Sequence, residues 1–155
     1  MQKITRKNPE FMPKPVGNYS HITRVPKGAG LFVTSGQVGT DMDGNVPSNL
    51  NDQITNTFAN MKRVLESEGL TEENVIKVNI WATEDIDWDH LYPQWDELFG
   101  TAYPSMTVAY VSALGWPELK LNYGVLKFND VKGTVKSCSF FVLFHSCFHF
   151  YNPAD

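Results

Sequence analysis

Apolar residues recur along this chain with two different periods, and the switches between them divide it into elements. In residues 19–25 and 31–35 the pattern suits two short strands, and Pro26, Gly28 and Gly30 between them predict a hairpin turn. A stretch rich in Asp, Gly, Asn and Pro follows from Gly39 to Asn51. Beyond it, Ile54, Phe58, Met61 and Leu65 are spaced by four, three and four, which makes one face of a helix. Asn49 is placed to cap that helix with Asp52 at its third position, and Gly69 sits where it should stop. Period two returns in residues 75–83, with Ile76, Val78, Ile80 and Ala82 on one face and Lys77 and Asn79 on the other. A second helix is predicted over residues 87–99 from Leu91, Trp95 and Leu98, with Gly100 as its stop. Pro93 is expected in its first turn, where no backbone N–H is needed. Strands over residues 106–114 and 119–128 complete a ββαβαββ order, an α+β fold with two helices on one face of a five-stranded sheet.

The strand beginning at Met106 is apolar or small on both faces, so a second layer is needed on the side that the helices leave open. In a chain of 155 residues the simplest cover is another copy of itself, and a homo-oligomer is expected. Composition divides the chain again near its end. Of 20 aromatic residues, six fall between Phe140 and Tyr151, in a segment 138–154 that contains no charged residue. Residues 1–130 therefore read as one domain and 131–155 as an appended aromatic-rich tail that packs as an arm, is shielded by a partner, or aggregates.

A formal net charge of −4 with three arginines (Arg6, Arg24 and Arg63) argues against nucleic acid as a partner, because phosphate binding needs a clustered positive surface. No apolar run is long enough to span a membrane and the first residues do not resemble a signal peptide, which predicts a cytoplasmic protein without a membrane partner. Both cysteines, Cys138 and Cys147, lie in the tail, so no disulfide framework is expected in the body.

Candidate metal patterns are weak. Asp41, Asp43, Asn45 and Asp52 fall at offsets 1, 3, 5 and 12 of a calcium loop, but the glycine stands at offset 4 and Pro47 at offset 7, which favours a solvated turn. The acidic group Glu84, Asp85, Asp87 and Asp89 suits the positive end of the second helix. Cys138, His145, Cys147 and His149 lack the close pairing of a zinc site. No metal and no cofactor is expected.

Three strings combine with the ββαβαββ order: Pro15-Val16-Gly17-Asn18-Tyr19-Ser20, Leu31-Phe32-Val33-Thr34-Ser35-Gly36-Gln37 and Val75-Ile76-Lys77-Val78. Over about residues 10–128 the chain resembles the Rid family (YjgF, also known as L-PSP endoribonuclease-like or translation-inhibitor proteins). The resemblance implies a chorismate-mutase-like fold, a homotrimer, and clefts between subunits in which enamines and imines derived from amino acids are hydrolysed to keto acids and ammonia. It further implies an arginine that grips the substrate carboxylate and a glutamate that handles water and protons. Carried across, the arginine position is Met106, the glutamate position is Asn122 and a cleft asparagine position is Tyr92, whereas Tyr19, Ser35 and Gly36 match. Asn122 is thus the candidate catalytic residue, and Tyr19, Ser35, Gly36, Tyr92, Met106 and Trp116 are the candidate substrate-binding residues. A carboxylate buried against Met106 would lack its charge partner, which points to an altered, neutral or aromatic small-molecule ligand. Interface packing explains Met106 and Trp116 equally well. Three functions are implied: an imine or enamine deaminase with changed substrate, a non-catalytic ligand-binding or regulatory trimer, and, third, a ribonuclease.

Overall fold

The computed structural model describes residues 4–129. Seven short strands and two helices follow one another: β1 (Thr5–Lys7), β2 (Ile22–Arg24), β3 (Gly30–Val33), β4 (Gln37–Val38), α1 (Leu50–Ser67), β5 (Val75–Ala82), α2 (Trp88–Phe99), β6 (Ser105–Tyr110) and β7 (Leu121–Asn129). The main sheet runs β3, β7, β5, β6, with β4 also paired to β7. Only β5 and β6 are parallel, as expected for strands joined through a crossover helix. The tail 131–155 lies outside the described residues.

Both helices begin and end where local chemistry dictates. The Asn49 side chain accepts the Asp52 N–H at 2.8 Å, and Gly69 adopts φ 63° at the other end of α1, where an L side chain would be strained. Asp87 caps α2 by accepting the His90 N–H at 3.2 Å, and Gly100 closes it with φ 56°. Their apolar stripes lie on one face of the sheet, where Ile54, Phe58, Met61, Leu91 and Trp95 meet Val78, Ile80, Leu121, Tyr123 and Val125 in a single buried cluster.

Two expectations are corrected. Residues 19–25 and 31–35 do not form a hairpin: β2 pairs with β1, through Thr5 opposite Arg24, while β3 pairs with β7. Competition from two distant strands decides the matter, because Arg6 on β1 donates to the carbonyl oxygens of Glu73 and Val75 at 3.0 and 2.8 Å and pins the β1–β2 pair beside the start of β5. Pro93 is the sixth residue of α2, not part of its first turn. The helix forgoes the hydrogen bond to the Asp89 carbonyl there, and Asp89 is exposed, so water can replace it.

Among the described residues, nothing forms a second layer on the face of the sheet away from the helices. Leu31 and Val33 on β3 are 48% and 62% exposed, and the Trp81 ring lies over Gly124, where an added Cβ would stand 2.9 Å from Cζ3. Among the described residues, no helix is long and apolar enough to cross a membrane.

Candidate functional site

A groove of about 480 Å³ opens between α2, the edge strand β6 and the segment 16–20 that precedes β2. Trp88 and Tyr92, one helical turn apart on α2, form one wall with ring centroids 5.2 Å apart and planes tilted by 33°. Met106 and Val108 on β6 form another, and Val16, Gly17 and Tyr19 close the third side. A Cβ at Gly17 would stand 2.6 Å from the Tyr92 hydroxyl, so this glycine lets the segment approach the Tyr92 ring tip.

The segment is held by its polar groups. Trp95 Nε1 donates to the Asn18 carbonyl at 2.8 Å, and Asn18 Nδ2 donates to Asp96 Oδ1 at 2.8 Å. The same carboxylate oxygen accepts the Tyr103 hydroxyl at 2.9 Å. Burial first, and then the neighbouring Asp96, push the Tyr103 hydroxyl above the ordinary tyrosine range. Ser20 fastens the other end, with its Oγ donating to the Tyr103 carbonyl at 2.8 Å and its N–H to the Pro104 carbonyl at 3.2 Å. Tyr19 is thereby suspended between two anchored residues, with its ring edge-on to His21 at 5.9 Å.

Of the expected site residues, the structure brings together Tyr19, Tyr92 and Met106. Gly36 and Asn122 meet at a second place, where a Cβ on Gly36 would fall 2.2 Å from Asn122 Oδ1. Ser35, next to Gly36, is exposed, and its carbonyl accepts Gln37 Nε2 at 3.2 Å. Trp116 lines neither place and is 62% exposed. The two places do not merge within one chain. Met106 pairs with Val78, whose side chain belongs to the core under the helices, while Asn122 pairs with Trp81 on the opposite face, three residues or roughly 10 Å further along β5.

Trp88 was missed by sequence reasoning. Its position in the first turn after a run of acids suggested only a helix start, and its partnership with Tyr92 at a spacing of four was the available signal. Among the described residues, no charged side chain lines the groove. The described residues also contain no cluster of three or more His, Cys, Asp or Glu able to hold a metal ion. Asp41 instead closes its own turn by accepting the N–H groups of Asp43 and Asn45 and the Asn45 amide, which lowers its carboxyl below the usual range.

A layer of two helices against a mixed sheet, with a groove at the edge strand, defines a small α+β protein. Residues 10–122 match the family described as endoribonuclease L-PSP, and the chain belongs to that family, the Rid/YjgF proteins. It is 32% identical over 111 residues to a RutC family protein of Aquifex aeolicus, covering 71% of this chain and 84% of that one. It is 31% identical over 104 residues to a protein of Dermatophagoides farinae named 2-iminobutanoate/2-iminopropanoate deaminase, covering 66% of this chain and 79% of that one. The fold matches the crystal structure of the Rid family protein YyfB from Yersinia pestis with a TM-score of 0.70 at 22% identity, over 81% of this chain and 98% of that one.

Proposed function

We propose that this protein is a Rid-type imine or enamine hydrolase whose substrate lacks a carboxylate, working as a homotrimer with its clefts between subunits. The groove at Met106 carries the proposal: where a 2-imino acid would need a cation, the lining is Met106, Val108 and aromatic rings. Leaving a carboxylate without its partner in such a place costs on the order of 3–5 kcal/mol, or about 10²-fold to several thousand-fold. The trimer is supported by the exposure of Leu31 and Val33 on the sheet face away from the helices and by the separation of Met106 from Asn122, which a second copy would bridge. In the reaction, water adds across C=N to give a carbinolamine, and collapse of that intermediate leaves a carbonyl and releases ammonia. The tyrosine hydroxyls at the groove and the Asn122 amide can orient water by hydrogen bonding.

A second reading, a non-catalytic binding protein, is favoured by Asn122 itself, since an amide cannot take the proton of the attacking water. Ammonia release separates the two. Acetophenone N–H imine, generated in situ, should be hydrolysed above the uncatalysed rate, and 2-iminobutanoate should turn over at least about 100-fold more slowly than with an arginine-containing relative. No acceleration on the first substrate leaves the binding reading, and turnover of 2-iminobutanoate comparable to that relative overturns both. The double substitution Met106→Arg with Asn122→Glu should raise 2-iminobutanoate hydrolysis, and no gain in a correctly assembled protein would reject the assigned site.

A further inference from the structure

The α2 wall of the groove narrows the ligand further, and this step rests on the groove being the binding site of the preceding reading. We infer that Trp88 and Tyr92 form a stacking platform for an uncharged, planar aryl or heteroaryl group. Three observations converge on that class. First, the two rings are only 33° from parallel at 5.2 Å, an offset stack that a third flat ring can extend. Both are only partly buried against the core, which leaves ring surface available to the groove. Second, Met106 on β6 offers a polarisable thioether across the groove, and sulfur against an aromatic ring is a favourable contact. Third, the electrostatics exclude an anion. The positive end of α2 is already answered by Asp87, which accepts the His90 N–H, and by Asp89 in the first turn. Asp96 on the far side of the segment 16–20 adds negative charge, and no lysine or arginine is among the described residues that line the groove.

A groove of about 480 Å³ is within the size range of small-molecule sites and exceeds what a short aliphatic imine would fill. A planar ring laid on the Trp88–Tyr92 wall would lie between it and the side closed by Val16 and Tyr19.

The test uses the full chain and two probes that share one ring system, indole and indole-3-carboxylate, titrated by calorimetry and by ligand-observed NMR. Indole should bind, with the carboxylate weaker by about tenfold or more. Trp88→Leu keeps the wall apolar but removes the stacking surface, and it should weaken indole by about tenfold. Equal or tighter binding of the carboxylate overturns the inference, as does undiminished indole binding by a Trp88→Leu protein with wild-type circular dichroism. If Trp88→Leu does not fold, the comparison of the two probes on the unaltered protein still decides. Failure here is distinct from failure of the hydrolase reading. Indole binding without acetophenone imine hydrolysis removes the reaction and keeps the platform, whereas hydrolysis without indole binding does the reverse.

Discussion

Replacing Gln53 with leucine should be among the most damaging single changes in this protein. Gln53 is fully buried on α1 and both ends of its amide are bonded: Nε2 donates to the Pro47 carbonyl at 2.7 Å and to the Glu118 carbonyl at 2.8 Å, while Oε1 accepts the Lys120 N–H at 2.8 Å. Leucine fills nearly the same space but leaves three backbone groups without partners. At about 1–1.5 kcal/mol for each, after allowing for water reaching the partly exposed Pro47 and Glu118, the loss is about 3–4 kcal/mol. Burial of the added apolar surface returns about 1 kcal/mol, so the net destabilisation is about 2–3 kcal/mol. With a urea m-value of about 1.5–2 kcal/mol/M for a chain of this size, the unfolding midpoint should fall by roughly 1–2 M at unchanged slope and fixed protein concentration. Gln53→Glu should be worse, since it loses both donated bonds and buries a charge. A Gln53→Leu midpoint within about 0.3 M of the parent would refute the reasoning. The effect extends to the candidate site, because residues 118–120 feed directly into β7, and Asn122 is the second residue of that strand.

The opposite sign is expected at Tyr123. It is fully buried against Phe58 and its hydroxyl has no hydrogen-bond partner among the described residues, so Tyr123→Phe should be neutral or stabilising by about 1 kcal/mol in the same urea experiment. Acid should weaken the fold through Asp41 and Asp87, whose carboxyls are held below the usual range, chiefly by Asn45 and by Asn51 and the His90 N–H respectively. A depressed folded pKa contributes stability above the ordinary aspartate range, about pH 4, that is lost as pH falls through the folded value, so melting temperature should drop on acidification and drop less steeply in Asp41→Asn and Asp87→Asn proteins.

Local rules carried the sequence reading a long way. Asn49, Asp52, Gly69, Asp87 and Gly100 place both helices because capping and positive φ are decided by the residue itself and its near neighbours. The partner of β2 was not legible, because two strands separated by a turn of Pro and Gly look like a hairpin unless a third competes, and here β1 and Arg6 do. The candidate site was legible in halves. Tyr19, Tyr92 and Met106 were found through the family resemblance and converge in the groove, while Trp88 was not, since its spacing of four to Tyr92 says that the two rings share a helix face but not which strand that face meets. Trp116 was grouped with them as part of an apolar, aromatic cleft, and it is exposed and lies outside the groove.

Met106 and Asn122 project from opposite faces of one sheet. If each working cleft joins the groove of one copy to the Asn122 of the next, a defect in either half damages a cleft that belongs to two chains at once. Two populations, one carrying only Trp88→Leu and the other only Asn122→Leu, should then complement each other when unfolded together and reassembled. Some clefts would draw their two intact halves from different parents, and hydrolysis lowered in either population alone would rise in the mixture.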